Sequence, residues 1–207
     1  MIRDLIRIPT INPPGENYEE CADYLADRLS EFGASVKVVE VPEDYLDEHY
    51  PYRPLHKGYP RYIVLGRVGR GEVLHFNGHY DVVPPGSGWI LDPFEPLVEG
   101  GRVYGRGSTD MKGGIASLLA ALRWAVEEGV KPGVEVEVAL VPDEEAGGVG
   151  TRYLVESGYV KAGHVVVCEP TTPSRMVVGH KGLVRGVVRV FGRQAHSSIH
   201  GAARTRS

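Results

Sequence analysis

The sequence predicts an α/β protein with three layers, in which helices cover both faces of a mostly parallel or mixed sheet. Strand patterns alternate with helical patterns up to about residue 172, as in proteins built from βαβ units. Near residue 177 the pattern changes to alternating Arg and Val, which is typical of a sheet with one solvated face. We therefore expect one domain over residues 1–177 and the beginning of a second over residues 178–207.

Local patterns predict the elements of the first domain in order. Apolar residues recur at helical spacing between Tyr18 and Phe32, and Gly33 supplies a stop. Strands are predicted at ASVKVVEV, YIVLGRVG and EVLHFNG. An irregular loop is predicted over residues 42–61, which are rich in Pro, Tyr and charged residues. The clearest helical pattern is GIASLLAALRWAVEEG. The segments after it predict a strand (VEVEVALVP), a short helix (GTRYLVESG) and a buried strand (HVVVCEP).

Composition restricts the class of protein. A net charge of −4 argues against a nucleic-acid partner, since such binding normally shows a basic patch. The first residues, MIRDLIRIPTINPPGE, carry charges throughout, so we expect no signal peptide, no membrane partner and a cytoplasmic location. Cys21 falls in a helical pattern and Cys168 in a strand pattern, and both are expected to be buried free thiols.

Histidine and acidic residues come after successive predicted strands and turns. They are His79 and Asp81 after EVLHFNG, Asp110 in GRGSTDMKGG, Asp143, Glu144 and Glu145 after VEVEVALVP, and Glu169 after HVVVC. Ligand sites of open α/β sheets lie beyond the carboxyl ends of the strands. These side chains are therefore expected to meet at one edge of the sheet.

An imidazole with several carboxylates suits zinc or a similar divalent ion, whereas carboxylates alone would suit magnesium or calcium. Two ions about 3.5–4 Å apart can share one bridging carboxylate and one water. Asp110 fits the bridging position because its glycine neighbours allow a close approach, and Lys112 and the following helix fix its direction. Asp81 is a candidate to hold the other ring nitrogen of His79, and a glutamate beside the ligands is a natural general base.

Simpler interpretations stay open at each position. His79 could be structural, Asp110 could cap the following helix, Glu144 and Glu145 could form a solvated turn, and Glu169 could be a loop residue. A dinucleotide site is rejected because GRGS lacks the third glycine of that fingerprint. The chain also has no Gly-x-Ser-x-Gly elbow.

Five motifs resemble the successive signatures of a zinc-dependent amidohydrolase and exopeptidase family. In order along the chain they are GHYDVVP, GRGSTDMKGG, PDEEAGG, CEPT and GHKG…GRQAHSS. That family contains aminoacylase, acetylornithine deacetylase, succinyl-diaminopimelate desuccinylase and glutamate carboxypeptidase. The resemblance covers nearly the whole chain. It implies an αβα catalytic domain, here incomplete, followed by the start of an α+β lid and dimerisation domain, in a homodimer.

The resemblance also implies a role for each matching residue. The implied metal ligands, for two zinc ions or for cobalt or manganese in their place, are His79, Asp110, Glu145 and Glu169, with Asp110 as the bridge. The implied catalytic residues are Asp81, which orients His79, Glu144, the general base, and His196, which reaches a neighbouring subunit's active site and steadies the oxyanion. A cis peptide bond between Asp110 and Met111 is implied as well.

The implied function is hydrolysis of an amide bond in an N-acyl amino acid or small peptide, the substrate partner, by a two-metal activated water. Members of the family are roughly twice as long and supply a late histidine to the second ion, whereas this chain ends at Ser207. Its ending, IHGAARTRS, has the character of a truncation or a shifted reading frame. The alternative is therefore an inactive truncated relative that binds metal weakly or only self-associates, and a third hypothesis is an aminopeptidase with the same chemistry.

Overall fold

The structure is a computed structural model that describes residues 1–160, 163–172, 174–179, 182, 192–193 and 204–205. The chain divides into two units, Met1–Pro170 and Thr171–Ser207. The described helices are α1 (Ile2–Arg7), α2 (Tyr18–Glu31), α3 (Glu43–His49), α4 (Lys112–Glu127) and α5 (Val149–Glu156). The described strands are β1 (Ser35–Val41), β2 (Arg61–Val68), β3 (Val73–His79), β4 (Leu97–Glu99), β5 (Arg102–Tyr104), β6 (Glu135–Val141), β7 (His164–Val167), β8 (Gly192–Arg193) and β9 (Arg204–Thr205).

A five-stranded mixed sheet with the order β1-β2-β6-β3-β7 forms the centre of the first unit. β1 runs antiparallel to β2 and β2 antiparallel to β6, whereas β3 runs parallel to both β6 and β7. The carboxyl ends of β3, β6 and β7 therefore lie at the same edge of the sheet. β4 and β5 form a separate antiparallel hairpin, and in the second unit β8 pairs with β9.

Helices pack on both faces of this sheet, because successive strand residues point to opposite sides. Val138 and Leu140 belong to a core cluster that contains the buried residues of α2 and α4. Ala139 and Val141 belong to a second cluster that includes Leu46 of α3 and the buried residues of α5. The α/β class with a three-layer arrangement is thus confirmed.

Apolar spacing explains the long helices. In α2, buried residues recur every three or four positions, as a helix that covers one face of a sheet requires. The helix ends where predicted, since Gly33 takes a positive φ of 75° directly after the C-cap residue Phe32. No described helix is both long and apolar enough to cross a membrane.

Two local predictions were wrong. Residues 42–61 were expected to be irregular, but Glu43–His49 form α3 after Pro42 at its N-cap. This helix has one buried side chain, Leu46, so its sequence shows no apolar period. HVVVCEP was expected to be buried, but β7 is the last strand of the sheet order and all four of its residues are exposed.

Cys21 is buried and Cys168 is partly buried, and both are free thiols.

Gly114 lies where α4 passes the end of β7. A Cβ atom at this position would come 2.2 Å from the carbonyl oxygen of Cys168, a separation that forces the backbone to move. The glycine is therefore needed for close packing of the first turn of α4 against the residue that precedes Glu169.

Replacing Gly114 by alanine is expected to lower the free energy of unfolding by about 1–3 kcal/mol, the usual cost of overpacking a tight contact. Gly133→Ala is the matched control, because a Cβ there meets no atom within 4 Å. The measurement is the urea unfolding midpoint of both variants and the parent chain. Equal midpoints for the two variants would show that the Gly114 contact relaxes without cost.

Candidate metal centre

His79 is the last residue of β3, and its side chain is 1% exposed. Its Nδ1 lies 3.0 Å from the backbone carbonyl oxygen of Asp81. Since a carbonyl oxygen only accepts, Nδ1 must carry a proton, and this contact fixes the orientation of the ring. The other ring nitrogen, Nε2, then faces the carboxylates at the edge of the sheet.

Carboxylates from separate elements converge on this nitrogen. Nε2 of His79 lies 3.0 Å from Oδ1 of Asp110 and 3.6 Å from Oε2 of Glu169. His79, Asp110 and Glu145 each offer a ligand atom, and these atoms all lie within 4.8 Å of one another. The fold thus brings together the four residues that were expected to bind metal.

The glycine-rich turn places Asp110 directly before α4. Gly107 has a φ of +80°, and a Cβ there would lie 2.7 Å from Val82, so the turn passes close to the chain that follows β3. The peptide bond between Asp110 and Met111 is cis, as the resemblance implied. The close approach of the turn at Gly107 lets the short aspartate side chain reach His79 from a neighbouring element.

Lys112 anchors the same turn from inside the protein. Its side chain is fully buried, and Nζ donates hydrogen bonds to the carbonyl oxygens of Leu5 (2.8 Å) and Ile8 (2.7 Å). Its backbone N–H donates to the carbonyl oxygen of Gly107 at 2.9 Å. Lys112 therefore ties the turn to the end of α1, which holds Asp110 in direction through the backbone.

The carboxylate of Asp81 organises the neighbouring turn. Its Oδ1 accepts a hydrogen bond from the backbone N–H of Glu144, and its Oδ2 accepts one from the backbone N–H of Glu145, both at 3.1 Å. Oδ1 also lies 3.4 Å from Nδ1 of His79. Asp81 therefore contacts the His79 ring through its backbone carbonyl and also holds the turn that carries both glutamates, a task that the sequence did not reveal.

Three consecutive acids after β6 face different surroundings. Glu145 contributes to the group around His79, and the Glu144 side chain is exposed beside it. Asp143 is fully buried at a φ of 61°, where it accepts hydrogen bonds from Arg61 Nε (3.0 Å) and Tyr18 OH (2.9 Å). The sequence grouped Asp143 with the acids at the edge, but the structure places it inside as an anchor for the turn.

The pKa values report an excess of negative charge. Burial lowers the pKa of His79, but its hydrogen bonds to the carboxylates of Asp110 and Asp81, together with the negative charges of Asp81 and Glu144, outweigh burial and raise that pKa to about 11. The hydrogen bond to His79 lowers the pKa of Asp110. Burial and the Asp110 charge raise the pKa of Glu145, and they raise that of Glu169 to about 7.

This donor set fits a divalent cation. One imidazole nitrogen and three carboxylates are typical ligands of zinc and of related transition-metal ions. A cation among them would offset the mutual repulsion that raises the pKa values of the two glutamates.

His196, the remaining predicted site residue, lies outside the described residues.

Residues 75–199 match the sequence pattern of the peptidase family M20/M25/M40. This chain belongs to that family. The resemblance that its motifs suggested is thus confirmed.

Two desuccinylases and one uncharacterized protein illustrate the relationship. Succinyl-diaminopimelate desuccinylase from Gluconobacter oxydans is 39% identical over 158 residues, which are 72% of this chain and 40% of that protein. The enzyme of the same name from Methylobacterium radiotolerans is 35% identical over 95% of this chain and 49% of its own length. An uncharacterized metallohydrolase of Methanocaldococcus jannaschii is 32% identical over 94% of this chain and 50% of its own length. The chain therefore spans about half the length, or less, of these relatives.

Solved structures show the same fold. Human carnosine dipeptidase 1 superposes with a TM-score of 0.66 at 23% identity, over 80% of this chain and 37% of that chain. An M20 family metallo-carboxypeptidase from Sulfolobus solfataricus gives a TM-score of 0.63 at 25% identity, over 80% of this chain and 36% of that chain. The described fold thus corresponds to part of each of these longer chains.

Lowering the pH is expected to weaken metal binding. The pKa values of His79 (about 11) and Glu169 (about 7) mean that both groups hold protons near neutrality, and a cation must displace them. Zn²⁺ affinity should fall by about tenfold per pH unit between pH 8 and pH 7, where the His79 proton must be displaced, and more steeply towards pH 6, where Glu169 is protonated as well. Titration calorimetry in buffers of different ionisation enthalpy counts the released protons, and an affinity independent of pH would contradict this account.

Proposed function

We propose that this chain carries the metal-binding part of an amide hydrolase that cleaves an N-acyl amino acid or a small peptide. The observation that supports this most directly is the convergence of Asp110, Glu145 and Glu169 on Nε2 of His79. Two of the relatives are named for removing a succinyl group from diaminopimelate, so N-succinyl amino acids are the first substrates to consider.

The four converging residues would hold two zinc ions, with Asp110 as the bridge, and cobalt or manganese would suit the same ligands. When bound, the ions would supply Lewis acidity to the amide carbonyl and to the attacking water. Asp110 suits the bridging position because its side chain is half exposed at the centre of the group, within reach from both sides.

Glu144 is the proposed general base. Its side chain is exposed next to Glu145, and its backbone is held by the carboxylate of Asp81. Because it lies beside the ligands without belonging to the close group around His79, it is free to take a proton from the attacking water. The same carboxyl group then hands that proton to the leaving amine.

The proposal extends to the assembly of the whole protein. His196 would stabilise the oxyanion in the active site of a neighbouring subunit of a homodimer. The homodimer would act in the cytoplasm, without a nucleic-acid or membrane partner.

The second candidate function is a chain that binds metal and hydrolyses nothing.

Glu144→Gln is expected to lower turnover by about 10²–10⁴-fold while the bound metal remains, because glutamine keeps the shape of the side chain but accepts no proton. The assay supplies N-succinyl-diaminopimelate, N-acetyl amino acids and dipeptides to the Zn²⁺- or Co²⁺-loaded chain. Metal content is measured in parallel by elemental analysis.

Glu128→Gln is the matched control, because Glu128 is an exposed glutamate at the end of α4. Turnover by Glu144→Gln equal to that of the parent chain would remove Glu144 as the base. A parent chain that binds metal but cleaves none of the substrates would support the second candidate. A parent chain that binds no metal would overturn the proposal as a whole.

A further inference from the structure

A buried asparagine lies directly behind the candidate metal centre. The side chain of Asn12 is 2% exposed, and its Nδ2 donates to Asp81 Oδ2 (3.1 Å) and to Asp143 Oδ1 (3.0 Å). Its Oδ1 accepts a hydrogen bond from Tyr50 OH at 2.6 Å. Both N–H groups and the carbonyl of this amide are therefore in use, which fixes its orientation.

The backbone of Asn12 is also held in place. Its N–H donates to the carbonyl oxygen of Val82 at 2.9 Å, and the N–H of Val82 donates to the carbonyl oxygen of Thr10 at 2.9 Å. Ile11 forms a parallel bridge with Val82. Residues 10–12 thus run alongside the chain that leaves β3, and the amide cannot shift independently of that chain.

The two carboxylates that Asn12 joins follow different strands. His79 pairs with Val141 in the parallel register of β3 and β6, and Asp81 and Asp143 come two residues after these two strand ends. Asp81 accepts the backbone N–H groups of the glutamate turn, and Asp143 begins that turn. The amide of Asn12 therefore links the segment that follows β3 and His79 to the turn after β6 that carries Glu144 and Glu145.

Charge explains why a neutral donor is needed here. Asp81 and Asp143 are both fully buried, and Arg61 pairs with Asp143. Two buried carboxylates side by side repel each other, and an amide with one N–H directed at each holds them at a fixed separation. Without the amide, each acid would lose a hydrogen bond in a site that water reaches poorly.

We infer that Asn12 is a positioning residue, which sets the distance between His79 and the Glu144–Glu145 turn by bridging Asp81 and Asp143. Its effect on the turn follows from the hydrogen bonds alone. Its effect on metal affinity rests on the proposed function, and the test separates the two.

The first measurement is amide hydrogen exchange at Glu144 and Glu145 in the metal-free chain. Asn12→Ala should speed exchange by about tenfold, because the Asp81 carboxylate that accepts both N–H groups loses its support. Tyr18→Phe is the matched control, since it removes another hydrogen bond to the same Asp143 oxygen but does not touch Asp81. That variant should exchange at the rate of the parent chain.

The second measurement is the Zn²⁺ dissociation constant, from competition with a chromogenic chelator. Asn12→Ala should raise it by about 10–100-fold, as is usual when a residue that orients metal ligands is lost. Tyr18→Phe should change it by no more than about twofold. Tyr50→Phe, which removes only the donor to Asn12 Oδ1, should shift both measurements in the same direction as Asn12→Ala but less.

Each outcome decides one of the two claims. Equal effects of Asn12→Ala and Tyr18→Phe would reduce Asn12 to general structural support and overturn the inference. If Asn12→Ala fails to fold, Tyr50→Phe decides, and exchange and affinity identical to those of the parent chain would overturn it. A parent chain without Zn²⁺ affinity would refute the proposed function, while the exchange rates still decide whether Asn12 positions the turn.

Discussion

The parallel pairing of β3 with both β6 and β7 is the constraint on which the candidate centre depends. Parallel neighbours end at the same edge of a sheet, so the side chains that follow them meet there. In β3 and β7, Asn77 pairs with Val167, two residues before His79 and Glu169, and in β3 and β6, His79 pairs with Val141, two residues before Asp81 and Asp143. A slip of one residue in either pairing would turn these side chains to the opposite face.

Buried charged groups lie behind the turns at this edge of the sheet. Arg61 and Asp143 pair with both side chains fully buried, and Lys112 is fully buried against two carbonyl oxygens of the N-terminal segment. Such groups add little to net stability, because the cost of removing them from water offsets their attraction. Loss of one partner is costly, however, because it leaves the other polar group buried without compensation.

The acids at the edge differ from those inside in one physical respect. Asp143 pairs with the buried cation Arg61 and accepts hydrogen bonds from several donors, whereas Asp110, Glu145 and Glu169 gather around the imidazole of His79. The inner acids are thus satisfied by the protein, and the outer acids retain an excess of negative charge that a divalent cation would offset. The same chemical group is therefore a structural anchor at one position and part of a candidate metal site at another, according to its neighbours.

Much of the fold, and the residues that gather around His79, could be predicted because the signals were local. Gly33 after an apolar helical stripe, and histidine or acid directly after a strand, are features of a few neighbouring residues. The short helix α3 was missed because a single buried residue gives no periodicity. The exposure of β7 was missed because valines in sequence do not reveal whether another layer covers the strand.

By itself the sequence determined which residues could bind a cation, since residue type and position after a strand are written in the chain. Only the tertiary structure decided which of the three acids at 143–145 turns inward and which two stay at the edge. It also decided that the Asp81 carboxylate holds the glutamate turn, with Asn12 joining the two strand ends. These outcomes depend on partners more than sixty residues away in the chain, and no local pattern encodes a contact across that separation.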